Sequence, residues 1–284
     1  MKKFLSVLLI VCICLPFCAC NSDKAEPSKG LAYELSEDGA YYTVIGIGKC
    51  KDSEIVIPSE HDSLPVRAVG DTAFKKTSIT RVTLPETITK ISFDSFEDCK
   101  KLAFNEYGGA YYLGTAENAY FALISVAEDA EKEFKIHSSA KVVADCALWG
   151  APVESLAVPK SVEYIGNAAF YSCSSLTSVD IVSGLTSVSE EAFANCKKLI
   201  NAFLPSGTER IEEKAFAYCS SLESITLPST ISYIGADAFT DCIALLDINF
   251  EGTTEQWNSI KKDAYWNART SFYTIHCTDG DIKK

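Results

Sequence analysis

Four cysteines stand 23 residues apart, at Cys173, Cys196, Cys219 and Cys242, and Cys99 holds a comparable place upstream. A thiol recurring so regularly could serve as a metal ligand or a redox centre. Zinc sites, however, gather ligands in Cys pairs two to four residues apart. No such pair occurs after Cys20. Free cysteine is among the most buried residue types and packs as a small hydrophobe with a weak S–H donor. The five cysteines therefore read as structural, and no metal is expected. Cys146 lies close to this register but off it, while Cys50 and Cys277 stand near the two ends. No disulfide is expected.

Other reactive residues are equally scattered. His61, His137 and His276 lie far apart and outside the regular spacing, which suits solvated loop positions better than ligation. Ser138–Lys141 spells Ser-x-x-Lys, but the Ser-Asp-Asn and Lys-Thr-Gly elements that accompany it in serine β-lactamases are missing. There is no His-Glu-x-x-His, phosphate-binding loop or Gly-x-Ser-x-Gly. "TDGD" at 278–281 offers too few oxygen ligands for a calcium loop. No enzyme activity and no cofactor are expected. The net charge of −12 argues against a nucleic-acid partner, which would require clustered Lys and Arg.

The remaining four of the 12 cysteines crowd into the first 20 residues. Lys2 and Lys3 precede "FLSVLLIVCICLPF", an apolar run of 14 residues, short for a membrane span and suited to a signal peptide. The following "FCACN" resembles the lipobox of bacterial lipoproteins, with Ala19 just before Cys20 and Phe17 in place of the usual Leu. That resemblance implies cleavage after residue 19 and a lipid on the Cys20 sulfur. Residues 20–30 would then form the anchor and a short polar tether. Losing Lys2 and Lys3 would shift the charge from −12 to −14.

What positions the cysteines is a repeat. Phe170, Phe193, Phe216 and Phe239 advance in the same 23-residue step, as do Pro159, Pro205 and Pro228, with Val182 in the vacant place. A strict period in the twenties predicts a solenoid in which each turn stacks on the next. In "SLESITLP", Leu222, Ile225 and Leu227 end on an alternating pair, the mark of a short strand with one buried face. Pro228 ends it, because proline cannot donate to a ladder. "ISYIG" is a second, shorter extended piece, and "ADAF" a tight turn, helical or nearly so, that drives Phe239 inward.

Upstream the period continues with insertions. Phe74 to Phe96 is 22 residues, whereas Phe96 to Leu148 is 52. Alternating aromatics around Gly and Asn predict an inserted β-hairpin at about 108–136. Eight core strands would then end at Ile57, Leu84, Tyr107, Val158, Ile181, Leu204, Leu227 and Phe250.

The unit Cys-x-x-Leu-x-x-Ile-x-Leu-Pro, followed by Ile-Gly-x-x-Ala-Phe, resembles the BspA-type leucine-rich repeat over about Leu31 to Cys277. The stretch 31–48 resembles that family's N-terminal capping hairpin, with a turn at Asp38–Gly39, and about 251–277 its C-terminal cap. The resemblance implies one leucine-rich repeat solenoid over 31–284, mainly β with short helical turns and capped at both ends. It also implies that the ladder cysteines turn inward toward neighbouring backbone. Members are bacterial surface proteins, several of them adhesins.

On such a fold every second strand residue faces out. The exposed set includes Arg81, Glu106, Ser178, Asp180, Asn201, Phe203, Ser224 and Thr226. Most are small and polar, but Phe203 is an aromatic among them and a candidate hot spot. The expectation is a non-enzymatic adhesion or binding protein, held by lipid to the outer face of a bacterial membrane and engaging a protein ligand. A structural spacer in the envelope and a carbohydrate-binding module are the alternatives.

Overall fold

Three hydrogen-bonded ladders hold the regular repeats together, while the strands before residue 133 pair in sheets of their own. A computed structural model describes residues 26–127, 130–182 and 184–284; Cys20 and the apolar run before it lie outside them. The main sheet has eight strands in the order Glu133–Lys135, Ser155–Val158, Ser178–Ile181, Asn201–Phe203, Ser224–Leu227, Asp247–Phe250, Thr274–Cys277 and Gly280–Lys283. All pair in parallel except the last, which folds back antiparallel on Thr274–Cys277. Burial alternates through the first six: in Ser178–Ile181 the Val and Ile are buried while Ser178 and Asp180 are exposed. That alternation locks the register, since a one-residue slip would turn the apolar set to solvent.

The second ladder is built from two-residue strands, Ser187–Val188, Arg210–Ile211, Tyr233–Ile234 and Lys261–Lys262, again in parallel. The first three send one apolar residue each, Val188, Ile211 and Ile234, into the core, whereas Lys261–Lys262 ends the ladder with none.

The third ladder corrects an expectation. The Phe-bearing turns are not helical, because their backbone groups bond to the neighbouring repeat. The N–H of Phe193 donates to Ala215 O at 2.8 Å and that of Phe216 to Ala238 O at 2.8 Å. Left-handed residues two places before and after each ring keep the chain out of a helix. Phe193 lies between Glu191 (φ 55°) and Asn195 (φ 61°), and Phe216 between Lys214 (φ 54°) and Tyr218 (φ 62°). The result is a flat loop with the ring aimed at the axis. Phe170, Phe193, Phe216 and Phe239 stack at 5.0, 5.3 and 5.4 Å between centroids, and Trp266 closes the column edge-on at 6.1 Å. All four rings are fully buried. Phe74 and Phe96 stack likewise at 5.5 Å, and Leu148 stands between the two groups in the repeat. Burying a phenyl ring stabilises by roughly 1.5–3 kcal/mol, so the column is a large part of the core.

Tyr107 does not end a core strand. Asn105–Tyr107 forms a hairpin with Ala110–Leu113 through Gly108 and Gly109 and belongs to a different five-stranded sheet. The core strand of that region is instead Glu133–Lys135, inside the stretch read as the insertion. Phe134 pairs with Leu156, 22 residues on, and both are buried. Tyr112 and Phe121 also turn inward and are buried, so these insertion aromatics cover the coil.

Both ends are closed. Ala32–Leu35 and Tyr42–Gly46 form an antiparallel hairpin, and the second of these pairs in parallel with Leu64–Val69. At the other end Thr254–Ser259 is the one α-helix among the described residues. It starts on a Thr253–Gln256 capping box and buries Trp257. Gly280–Lys283 then folds back as a short edge strand carrying Asp281 and Lys283, charges that discourage strand addition.

Candidate functional site

The outward residues of the main sheet form two rows set by the parallel register. One runs Glu133, Ser155, Ser178, Asn201, Ser224, Asp247, Thr274; the other runs Lys135, Ala157, Asp180, Phe203, Thr226, Asn249, His276. Small side chains dominate both. Phe203 is 47% exposed, a large apolar side chain in a row otherwise polar or small. Ser178, Asp180 and Asn201 beside it are exposed, while Ser224 and Thr226 are half-buried. Next to them Asn249 Nδ2 donates to Ser224 Oγ at 3.0 Å.

Toward the first strands of the sheet the same face dips into a shallow depression of about 210 Å³. It is lined by Glu133, Lys135, Ser155, Ala157, Ser178 and Asp180 over a floor of Phe134, Leu156 and Val179. Ala157 and the two serines make room for it, and the carboxylates and Lys135 give it a mixed-charge rim. A partner side chain could be seated there, one strand away from Phe203.

The candidate residues do not all come together. Ser178, Asp180, Asn201, Phe203, Ser224 and Thr226 share the face. Arg81 stands on a separate two-stranded ladder, Glu54–Val56 with Arg81–Thr83, and pairs with Glu54 at 3.2 Å. Glu106 must be withdrawn from the face. It lies on the Asn105–Tyr107 hairpin strand, which the two-glycine turn carries out of the repeat. Glu133 and Lys135 occupy the place assigned to that turn, and sequence reading missed them. The available signal was the 22-residue offset between Phe134 and Leu156, hidden by the absence of a proline after Ile136.

The histidines are not free loop residues. His276 lies on the seventh strand of the main sheet, where Nε2 meets Asp247 at 2.9 Å and Nδ1 meets Asp281 at 3.0 Å. The hydrogen bonds to Asp247 and Asp281 hold its pKa above the ordinary value. His61 stacks on Tyr33 at 3.9 Å and meets Tyr42 edge-on. His137 stacks on Tyr120 at 4.1 Å, hydrogen-bonds Ser139, and is pushed below its usual pKa by burial.

The ladder cysteines face the axis. Cys99 donates to Phe74 O at 2.8 Å, Cys173 to Leu148 O at 3.1 Å and Cys196 to Phe170 O at 3.2 Å. Cys219 reaches Phe193 O at 3.1 Å and Cys242 reaches Phe216 O at 3.2 Å. Burial pushes Cys173 and Cys242 up to about 12, and Cys196 and Cys219 well above their ordinary value. Such thiols are protonated at neutral pH and poor nucleophiles or ligands. Among the described residues no group of three or more His, Cys, Asp and Glu is arranged to hold a metal ion. Nor is any described helix long and apolar enough to cross a membrane.

Comparison with known proteins agrees with this geometry. The model of the BspA type leucine rich repeat region matches in six copies, over residues 49–108 and 141–271. Among solved structures, a leucine rich cell surface protein from Faecalibacterium prausnitzii shares 20% identity at a TM-score of 0.55, covering 87% of this chain and 100% of that one. The pneumococcal vaccine antigen PcpA shares 14% identity at a TM-score of 0.52, covering 80% of this chain and 68% of that one. No curated protein matches the sequence. The family match spans well over half of the chain and coincides with the stacked Phe and Cys ladders; the chain belongs to the BspA-type leucine-rich repeat family.

Proposed function

We propose that this chain is a lipid-anchored cell-surface protein that binds a protein ligand through the exposed face of its main sheet, in an adhesive role. The observation carrying this reading is Phe203. It is a half-exposed ring in a field of small polar side chains, beside a depression with room for a partner's side chain. Binding energy at protein interfaces concentrates in a few aromatic anchors ringed by near-neutral contacts, and this face has that composition. Leucine-rich repeat proteins generally act as non-enzymatic scaffolds, and one structural neighbour is a leucine rich cell surface protein. The lipobox-like Cys20 would hold the solenoid at the membrane, with the polar segment before Ser28 as its tether, since Ser28 already pairs with Val56 on the solenoid.

A binding screen of the protein against extracellular-matrix and cell-wall fractions tests the reading, with Phe203→Ala and Asp180→Ala run in parallel. A protein ligand whose capture falls about tenfold or more in Phe203→Ala supports it. Capture of polysaccharide alone would favour the carbohydrate reading. Capture of protein unaffected by either substitution would remove this face from the account.

A further inference from the structure

On the turn side of the solenoid, away from the main sheet, two exposed aromatic rings and a half-buried one meet. Trp149 is 55% exposed and Phe93 is 60% exposed, with centroids 5.9 Å apart, and Tyr171 meets Trp149 edge-on at 5.0 Å. Trp149 and Tyr171 occupy the place just after the spine residue, where later repeats carry Ala194, Ala217 and Thr240. The spine does not require them, since Leu148 and Phe170 fill the core behind them. Tyr171 is held in place by Asn195, whose Nδ2 donates to its hydroxyl at 2.9 Å.

The surroundings of this cluster are acidic. Asp94 follows Phe93 directly in the chain, and burial, then Asp145, Glu191, Asp94 and Asp71, push up the thiol pKa of Cys146, three residues before Trp149. Lys75 offsets Asp94 at 3.0 Å and Lys90 approaches Asp145 at 3.9 Å. Lys214, beside Glu213, also feels Glu191. Asp71 and Glu191 have no salt-bridge partner among the described residues.

We propose that the Phe93–Trp149–Tyr171 cluster is a second interaction surface, and that its occupant is a cationic, Arg- or Lys-rich peptide segment of a partner protein. A guanidinium or ammonium over an indole face is attracted by the ring quadrupole. Surrounding carboxylates raise the local concentration of such a segment and repel anionic ones. The rings tilt against one another at 41° and 62°, so they present a ridge with separate faces and not the flat platform on which a sugar ring would lie. This surface does not depend on the Phe203 face, which stands on the sheet side.

The test uses the full-length chain and a fluorescein-labelled nonapeptide of arginine, read by anisotropy at low and at physiological salt. Binding should weaken about tenfold in Trp149→Ala and in Trp149→Leu, which keeps apolar bulk but loses the π face. It should also weaken in the pair Asp71→Asn with Glu191→Gln, and with added salt. The pair Glu34→Gln with Glu37→Gln removes the same charge from the first hairpin, and it should leave binding within about twofold, as should Phe203→Ala. Equal loss from the two acidic pairs would reduce the effect to diffuse net charge and overturn the proposal. So would unchanged binding in both Trp149 variants, or equal affinity for a nonapeptide of glutamate or a neutral oligosaccharide. Unfolding midpoints matching the wild type show that each variant is folded.

Discussion

The thiol of Cys219 donates to the carbonyl oxygen of Phe193 at 3.1 Å, a contact that crosses from one repeat to the one before it. The same carbonyl also accepts the N–H of Cys196 at 3.2 Å. The cysteine is thus a small, nearly apolar donor that satisfies the second lone pair of a buried turn carbonyl. Serine has the right donor and nearly the right size. Cys219→Ser should cost only about 1 kcal/mol, the low end of the roughly 1–3 kcal/mol for burying a hydroxyl, because its hydroxyl inherits the Phe193 acceptor. Urea unfolding measures it, and a loss above about 3 kcal/mol would show that the hydroxyl cannot reach that oxygen. Thiol reagents should spare Cys196 and Cys219 in the native protein and label them after denaturation.

Alkaline pH should reveal the same burial. The folded-state pKa values of Cys173, Cys196, Cys219 and Cys242 are raised. Their contribution is therefore fully present below the unfolded value, near pH 9, and is lost as pH rises above it, toward about 12 for Cys173 and Cys242. Each thiol that ionises only on unfolding removes about 1.4 kcal/mol per pH unit in that window. Urea midpoints compared at pH 7, 9 and 10.5 should stay nearly level and then fall steeply. A curve still flat at pH 10.5 would mean that these thiols ionise as easily folded as unfolded.

How much of this was legible in the sequence depended on what repeats. The 23-residue spacing of Phe170, Phe193, Phe216 and Phe239 marks the solenoid, because stacking identical rings requires identical turns. The alternation in "SITLP" marks the face on which Phe203 lies. The Glu133–Lys135 strand was hidden because an insertion broke the count and its apolar residues are Phe134 and Ile136, not the repeat's Ile and Leu. The turns read as helical because a short Ala-rich segment ending in Phe carries no local sign that its N–H groups bond outward. Only stacking supplies those acceptors. The exposed Trp149 carries no mark in the sequence for a related reason, since its neighbours Phe93 and Tyr171 belong to other turns.

The proposed lipid anchor at Cys20 makes a separate prediction. Metabolic labelling with a fatty-acid analogue should mark the wild-type protein, and Cys20→Ser should lose the label and appear in the medium. A Cys20→Ser protein that still carries label would remove Cys20 from its assigned role.

His276 should titrate above its ordinary value, since Asp247 and Asp281 accept hydrogen bonds from its ring. Because its folded-state pKa is raised, the stability it lends the C-terminal strand is fully present below the unfolded value of about 6.5. That stability fades as pH rises through the folded one. Both partners are well exposed, so the effect on global stability is small. Proton NMR of the ring should show its midpoint falling in Asp247→Asn, and amide exchange in Gly280–Lys283 should quicken above that midpoint. A midpoint unmoved by Asp247→Asn would contradict the contact.

The central claim is that the repeated phrase builds the molecule while the open sheet face does its work, and two phenylalanines separate these roles. Phe216 is fully buried, stacked between Phe193 at 5.3 Å and Phe239 at 5.4 Å, whereas Phe203 stands on the surface. The decisive measurement is equilibrium urea unfolding of Phe216→Ala beside Phe203→Ala. Phe216→Ala should lose about 3–5 kcal/mol because it hollows the column, and Phe203→Ala should stay within about 0.5 kcal/mol of wild type. A loss below about 1 kcal/mol for Phe216→Ala, or an equal loss for Phe203→Ala, would contradict the account.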